Sequence, residues 1–209
     1  LQFSTMVNRS KIRCVIFDVG GVLVSERIEK IHNALNTYIG KNVFSRKSAL
    51  HKEFVVGKIS SNEYCRKLLK RVNSRLTKKQ LRSMIANELT RTSKVNKKVM
   101  SIAKKLKKSG YKIAILSVVV GDIKKMNEER HIYTIFNPVI LSCNVGYTKP
   151  QKRFFQIALK RIGAKPDECI YIEDRKEFLA TPLTMGLNVV HFKNAKQLTK
   201  ELRIFGVKI

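Results

Sequence analysis

The sequence predicts an α/β fold, a three-layer α/β/α sandwich around a parallel sheet with a helical unit inserted early in the chain. Three observations predict it. Short, wholly apolar runs such as VIF before Asp18, AIL before Ser117 and IYI before Glu173 are too brief for helices and show no alternation. That is the pattern of strands buried on both faces. From Asn96 onward such runs alternate with amphipathic stretches, the rhythm of a parallel sheet covered by helices on both sides. Between the first strand and that rhythm lies a segment, 26–93, with helical periodicity and no comparable strand. The 209 residues suffice for one full core and a small accessory unit. The expected division is therefore an α/β core over 1–25 and 94–209, with a helical cap over 26–93.

Taken in order, Arg13–Phe17 is the first strand, broken by Gly20 and Gly21. Ile28, Ile31, Leu35 and Ile39 fall on one helical face before Gly40. Ser60-Ser61-Asn62-Glu63 reads as a helix start ahead of Tyr64, Leu68, Leu69 and Val72. Thr77 and Gln80 have the spacing of a capping box, in which each side chain satisfies the other's backbone N–H, ahead of Leu81, Met84 and Ile85. In the core, Val99, Ile102, Ala103 and Leu106 form a helical stripe that ends at Gly110. Tyr111–Leu116 is a strand, Ile123–Glu129 a helix, Pro138–Leu141 a strand, Gln151–Ile162 a helix and Cys169–Ile172 a strand. Phe178–Met185 is helical and Asn188–Phe192 is the last strand.

The charge is extreme, 43 Lys and Arg against 15 Asp and Glu. It is also uneven, with 21 basic and 3 acidic residues in 41–110. Such a balance favours polyanions through release of their counterions, though a solvated basic surface gives the same count. Lys97-Lys98, Lys104-Lys105 and Lys107-Lys108 recur on the polar side of an amphipathic helix, which makes a stripe. The 41–110 segment is accordingly a candidate contact for nucleic acid or a ribosome, although no RNA-binding module signature accompanies it. No apolar run approaches the ~18 residues of a membrane span, so no membrane partner is expected. The first ten residues are too short and too polar for a signal peptide. Cys14, Cys65, Cys143 and Cys169 have no C-x-x-C spacing and read as small core residues of an intracellular protein, in the cytoplasm or an organelle matrix.

Four motifs carry candidate chemistry, each at the C-terminal end of a strand, where open parallel sheets place their sites. Asp18 ends VIFD ahead of a glycine turn; a carboxylate there can attack phosphorus or bind a cation, though a lone Asp is more often a turn cap. Ser117 ends KIAILS, and its hydroxyl can hold a phosphate oxygen. Lys149 in GYTKP can neutralise both a carboxylate and a phosphate, and Pro150 helps start the next helix. Glu173 and Asp174 end CIYIED; adjacent carboxylates repel, so a hard cation such as Mg²⁺ is their natural partner.

The ordered set, VIFDVGGVL with Asp18, AILS with Ser117, GYTKP with Lys149 and IYIED with Glu173-Asp174, resembles the haloacid dehalogenase superfamily over nearly the whole chain. Within it the chain resembles the helical-cap branch with sugar-phosphate phosphatases and the phosphatase domain of soluble epoxide hydrolases. The resemblance implies a Rossmann-like core and a Mg²⁺-dependent phosphatase acting on a small phosphorylated metabolite through an aspartyl-phosphate. It implies Asp18 as nucleophile, Ser117, Lys149 and Gly21 on the phosphate, and Mg²⁺ on Asp18, the Gly20 carbonyl, Asp174 and, through water, Glu173. A dehalogenase needs no metal, and the acidic pair argues against it. The chain departs from the pattern in three places. Gly20 stands where most phosphatases of the superfamily carry a second Asp as general acid/base. Val118-Val119-Val120 follows Ser117 where Asn is usual. Arg175-Lys176-Glu177 follows the acidic pair. The other reading that these departures and the charge support is a nucleic-acid- or ribosome-associated protein on the same fold with weak or no catalysis.

Overall fold

The computed structural model describes residues 11–25, 36, 48–72 and 75–209. The helix expected through Ile28, Ile31, Leu35 and Ile39 lies outside them. The core is a five-stranded, wholly parallel sheet of β1 (Cys14–Phe17), β4 (Lys112–Ser117), β5 (Val139–Leu141), β6 (Cys169–Glu173) and β7 (Asn188–His191), in the order β5-β4-β1-β6-β7. The chain builds outward from β1 in both directions, so the strand order reverses beside it. In open α/β sheets the crevice at such a point, outside the carboxyl ends of the strands, is where ligands bind, and Asp18 follows β1 directly.

Side chains alternate between two cores, as period-two strands require. Val15, Phe17, Ile113, Ile115, Ile170 and Ile172 face one way and pack under α4 (Lys97–Lys108) and α9 (Ala195–Ile204). Cys14, Ile16, Ala114, Leu116, Cys169 and Tyr171 face the other way and pack under α7 (Lys152–Ile162) through Phe154, Phe155, Ala158 and Ile162. The expected three-layer sandwich is thus present. Cys14 and Cys169 are register partners on β1 and β6 and fully buried, in keeping with their reading as core residues.

A two-stranded antiparallel ribbon, β2 (Val24–Ser25) with β3 (Lys94–Val95), brings the two ends of the insertion side by side. The sequence gives no sign of so short a pairing. Inside the insertion are α1 (Ala49–Val55), α2 (Ser61–Val72) and α3 (Lys78–Thr92). Helix α1, which the periodicity did not pick out, begins at Ser48, whose hydroxyl accepts from the His51 amide. Helix α3 begins in the expected capping box of Thr77 and Gln80. The three helices share a small apolar core of Leu50, Tyr64, Cys65, Leu68, Leu69, Leu81 and Leu89, against which Ile123 and Met126 of α5 (Gly121–Glu129) pack. A buried hydroxyl ties the insertion to the core: Ser142, first residue of α6 (Ser142–Val145), donates to the Val55 carbonyl at 2.6 Å and accepts from the Val119 amide at 3.0 Å. The expected helix over Phe178–Met185 is shorter, a 3₁₀ turn at Lys176–Phe178 followed by α8 (Ala180–Thr184).

Candidate active site

Asp18 is held at the head of β1, where its amide donates to the Ile172 carbonyl of β6 at 3.0 Å. Four of the predicted side chains converge there. The Lys149 ammonium is almost wholly enclosed, 2.9 Å from Asp18 Oδ1 and 2.6 Å from Glu173 Oε2. Ser117, at the end of the neighbouring strand β4, is 2 % exposed, and its hydroxyl favours the ionised form of the Asp18 carboxylate. Asp174 completes the group: Asp18, Glu173 and Asp174 each offer an oxygen within 4.8 Å of the others.

Burial dominates the electrostatics. It pushes the Asp18 carboxyl up to about 6, against the pull of Lys149, with the negative charge of Glu173 adding to the rise. It raises Asp174 as well. For Lys149 burial works downward, but the flanking Asp18 and Glu173 carboxylates outweigh it and hold the ammonium above its ordinary value. Three carboxylates around one ammonium leave the pocket short of positive charge, and Asp174 Oδ1 is buried with no hydrogen-bond partner in the protein. A buried anionic oxygen left unpaired is costly, and a small divalent cation among these oxygens satisfies it. The donor set, carboxylates with a nearby backbone carbonyl, is the hard-oxygen kind that Mg²⁺ prefers. The Gly20 carbonyl is available for it, because the turn's hydrogen bonds run instead to Val19 and Val24.

Gly21 was expected on the phosphate; here its amide donates to the Val24 carbonyl at 2.7 Å. Its lack of a side chain has a steric use. Gly21 sits at φ 78°, and a Cβ there would fall 2.1 Å from Asp174 Oδ2, so only glycine lets Asp174 close on the turn. Glu173 is engaged on both oxygens: Oε2 accepts from Lys149 and from the Tyr171 hydroxyl at 2.5 Å, and Oε1 from the Arg175 amide at 3.1 Å.

Tyr171 was not singled out from the sequence. Burial, with the charge of Glu173 and Asp18, holds its phenol protonated, so it donates to Glu173. The signal was present: on β6 residues 171 and 173 share a face, and a Tyr in an otherwise aliphatic buried strand needs a partner for its hydroxyl. His191 of β7, whose ring Nε2 lies 2.9 Å from the Asp174 carbonyl, was missed too; its pairing depends on sheet order. The Arg175 guanidinium pairs with Glu177 and lies 4.4 Å over the Phe178 ring. Val118 and Val119 pack into the two opposite cores.

A family model described as haloacid dehalogenase-like hydrolase matches residues 12–177. Among curated proteins the chain is 31 % identical over 68 residues, 32 % of its length, to a chloroplast flavin mononucleotide hydrolase of Arabidopsis thaliana. It is 25 % identical over 149 residues, 68 % of its length, to bifunctional epoxide hydrolase 2 of Rattus norvegicus. The matches span 28 % and 26 % of those two proteins. Among solved structures, a predicted HAD-like hydrolase from Porphyromonas gingivalis superposes with a TM-score of 0.77 at 22 % identity, covering 93 % of this chain and 99 % of that one. A HAD family enzyme from Bacteroides thetaiotaomicron in a magnesium complex gives 0.79 at 17 % identity, covering 93 % and 100 %. At these identities the structural likeness speaks for the fold. Among the described residues no helix is long and apolar enough to cross a membrane.

Proposed function

This chain belongs to the haloacid dehalogenase-like hydrolase family, and we propose that it is a Mg²⁺-dependent phosphatase acting on a small phosphorylated metabolite. The observation that carries the reading is the enclosed group of Asp18, Lys149, Ser117 and Asp174, in which a carboxylate faces a cation, a hydroxyl and a further carboxylate oxygen that lacks a protein partner. The segment 26–93 serves as the cap and supplies the contacts that select the substrate.

In this reading an Asp18 oxygen attacks the phosphorus in line, forming an aspartyl-phosphate as the bond to the leaving oxygen breaks, and water then releases phosphate. Asp18 and Asp174, with the Gly20 carbonyl, would hold the Mg²⁺, which would supply positive charge against the charge that develops on the phosphoryl group. Lys149 neutralises the phosphoryl oxygens from the other side, and Ser117 donates to one of them. Glu173 anchors Lys149, with Tyr171 and the Arg175 amide fixing Glu173 in turn. Gly20 brings no acid to the leaving oxygen, so esters with good leaving groups are the better substrates. Hydrolysis of an activated aryl phosphate, with Mg²⁺ and after chelation, tests the reading. Turnover that chelation abolishes and Mg²⁺ restores is expected; turnover indifferent to the metal overturns it.

A further inference from the structure

Helices α4 and α9 pack side by side on one face of the sheet, their buried stripes of Val99, Ile102, Ala103 and Leu106 and of Leu198 and Leu202 turned inward. Between their outer edges runs a groove of about 610 Å³, and beyond Lys196 and Thr199, which line both, a second hollow of about 550 Å³ extends along α9. The cations here are Lys98 and Lys105 from α4 and Lys196, Lys200 and Arg203 from α9, all exposed. Their spacing is not scattered. Residues seven apart on α4, and four and seven apart on α9, stand on one helical face, so each helix contributes a row. No carboxylate lines either hollow, and none of the five cations forms an ion pair among the described residues. Elsewhere the acids are spent on other bases, such as Glu63 on Arg66, Glu88 on Arg91 and Asp122 on Arg82.

Two rows of positive charge, on helices about 8–10 Å apart as packed helices usually are, run for about 10 Å, the rise of seven residues from Lys98 to Lys105 and from Lys196 to Arg203. That is a track for a chain of phosphates, narrower than a double helix and matched to one strand. It is lined by the Ser101 hydroxyl, which can donate to or accept from a ribose 2′-OH, and by the Thr199 hydroxyl, which donates to the Ala195 carbonyl at 3.0 Å and so can accept from one. It carries no aromatic side chain, so nothing there stacks or reads a base. We propose that the α4–α9 groove binds single-stranded RNA through its sugar-phosphate backbone, without sequence preference. Every residue that lines it lies outside the catalytic group, so the inference stands apart from the phosphatase reading. Half of the track comes from α9, outside the basic 41–110 segment that the sequence singles out.

The test uses the full chain and labelled oligo(U), oligo(dU) and duplex RNA of one length, with anisotropy read from low to physiological salt. The expected log–log slope is about −0.7 per phosphate contacted, with the RNA strand held more tightly than DNA or duplex. Changing Lys98, Lys105, Lys196 and Lys200 to Gln flattens the slope by about 0.7 per cation removed. Changing Lys152, Arg153, Lys160 and Arg161 of α7 to Gln, an equal charge loss on the opposite face, leaves it nearly unchanged. Circular dichroism melts establish that both variants fold. If one does not, protection of Lys98, Lys105 and Lys196 from acetylation by bound oligo(U) on the unaltered chain decides the matter. Equal losses in the two variants, DNA or duplex bound as well as the RNA strand, no binding at low salt, lysines that stay unprotected, or retention on anionic phospholipid vesicles but not on RNA would each overturn the assignment.

Discussion

At the scale of the residue, the site turns on what burial does to charge. Asp18 rises from 3.8 to about 6 and Asp174 rises with it. A carboxyl raised by folding holds its proton in the folded chain where the unfolded chain has lost it. Its contribution therefore favours the fold at low pH and turns against it as pH rises through the folded value. A divalent cation needs the ionised carboxylates and cancels that penalty. The thermal shift produced by Mg²⁺ should thus be large at about pH 7.5 and small at about pH 5, where protons compete for the same oxygens. Equal shifts at both would place the cation elsewhere. Gly20 offers a second test. It is not among the left-handed glycines of the chain, whereas Gly21 is, so an Asp at 20 meets no backbone obstacle. Gly20→Asp should speed hydrolysis of esters with poor leaving groups far more than aryl phosphates, toward the 10²–10⁴-fold (roughly) of a general acid; equal effects on both would show that proton transfer does not limit the rate. Asp18, Ser117, Glu173 and Asp174 were legible because they end apolar runs, and Lys149 because it stands before a proline and an amphipathic helix. The partners of Glu173 and the steric role of Gly21 were not, since they depend on which strand lies beside which and on the hand of one turn.

At the scale of the element, buried strands announce themselves by composition, and those of the core lie within a residue or two of where the apolar runs place them. Helix starts were legible where a side chain closes them, as Thr77 and Gln80 do for α3. The elements that escaped are the short ones. The β2–β3 ribbon consists of two pairs, Val24 with Val95 and Ser25 with Lys94, and nothing local marks it. Helix α1 is seven residues long, too brief for its periodicity to register. Both lie where the insertion meets the core, and there Ser142 is the pivot: its buried hydroxyl serves the Val55 carbonyl and the Val119 amide together. Ser142→Ala should lower stability by about 1–3 kcal/mol, because it leaves two buried backbone groups unpaired. Hydrogen exchange should show faster opening at α1 and the start of α5 than at β1 or β6. Unchanged exchange at α1 would mean that the apolar contacts of Ile123 and Met126 alone hold the insertion.

At the scale of the whole molecule, two electrostatic problems sit in different places. The groove between α4 and α9 is lined by cations without acids, and its remedy is an anion from outside. The head of the sheet has three carboxylates around one ammonium, and its remedy is a metal ion and a phosphate. The second arrangement supports the central claim that Asp18 is a nucleophile toward phosphorus. The measurement that tests it most directly is acid-quenched mass analysis of the chain after brief mixing with an aryl phosphate and Mg²⁺. The account predicts phosphate on the peptide that carries Asp18, its loss on longer incubation, and neither phosphate nor turnover in Asp18→Asn. Full turnover by Asp18→Asn, or turnover by the unaltered chain with phosphate trapped on another residue, would contradict it.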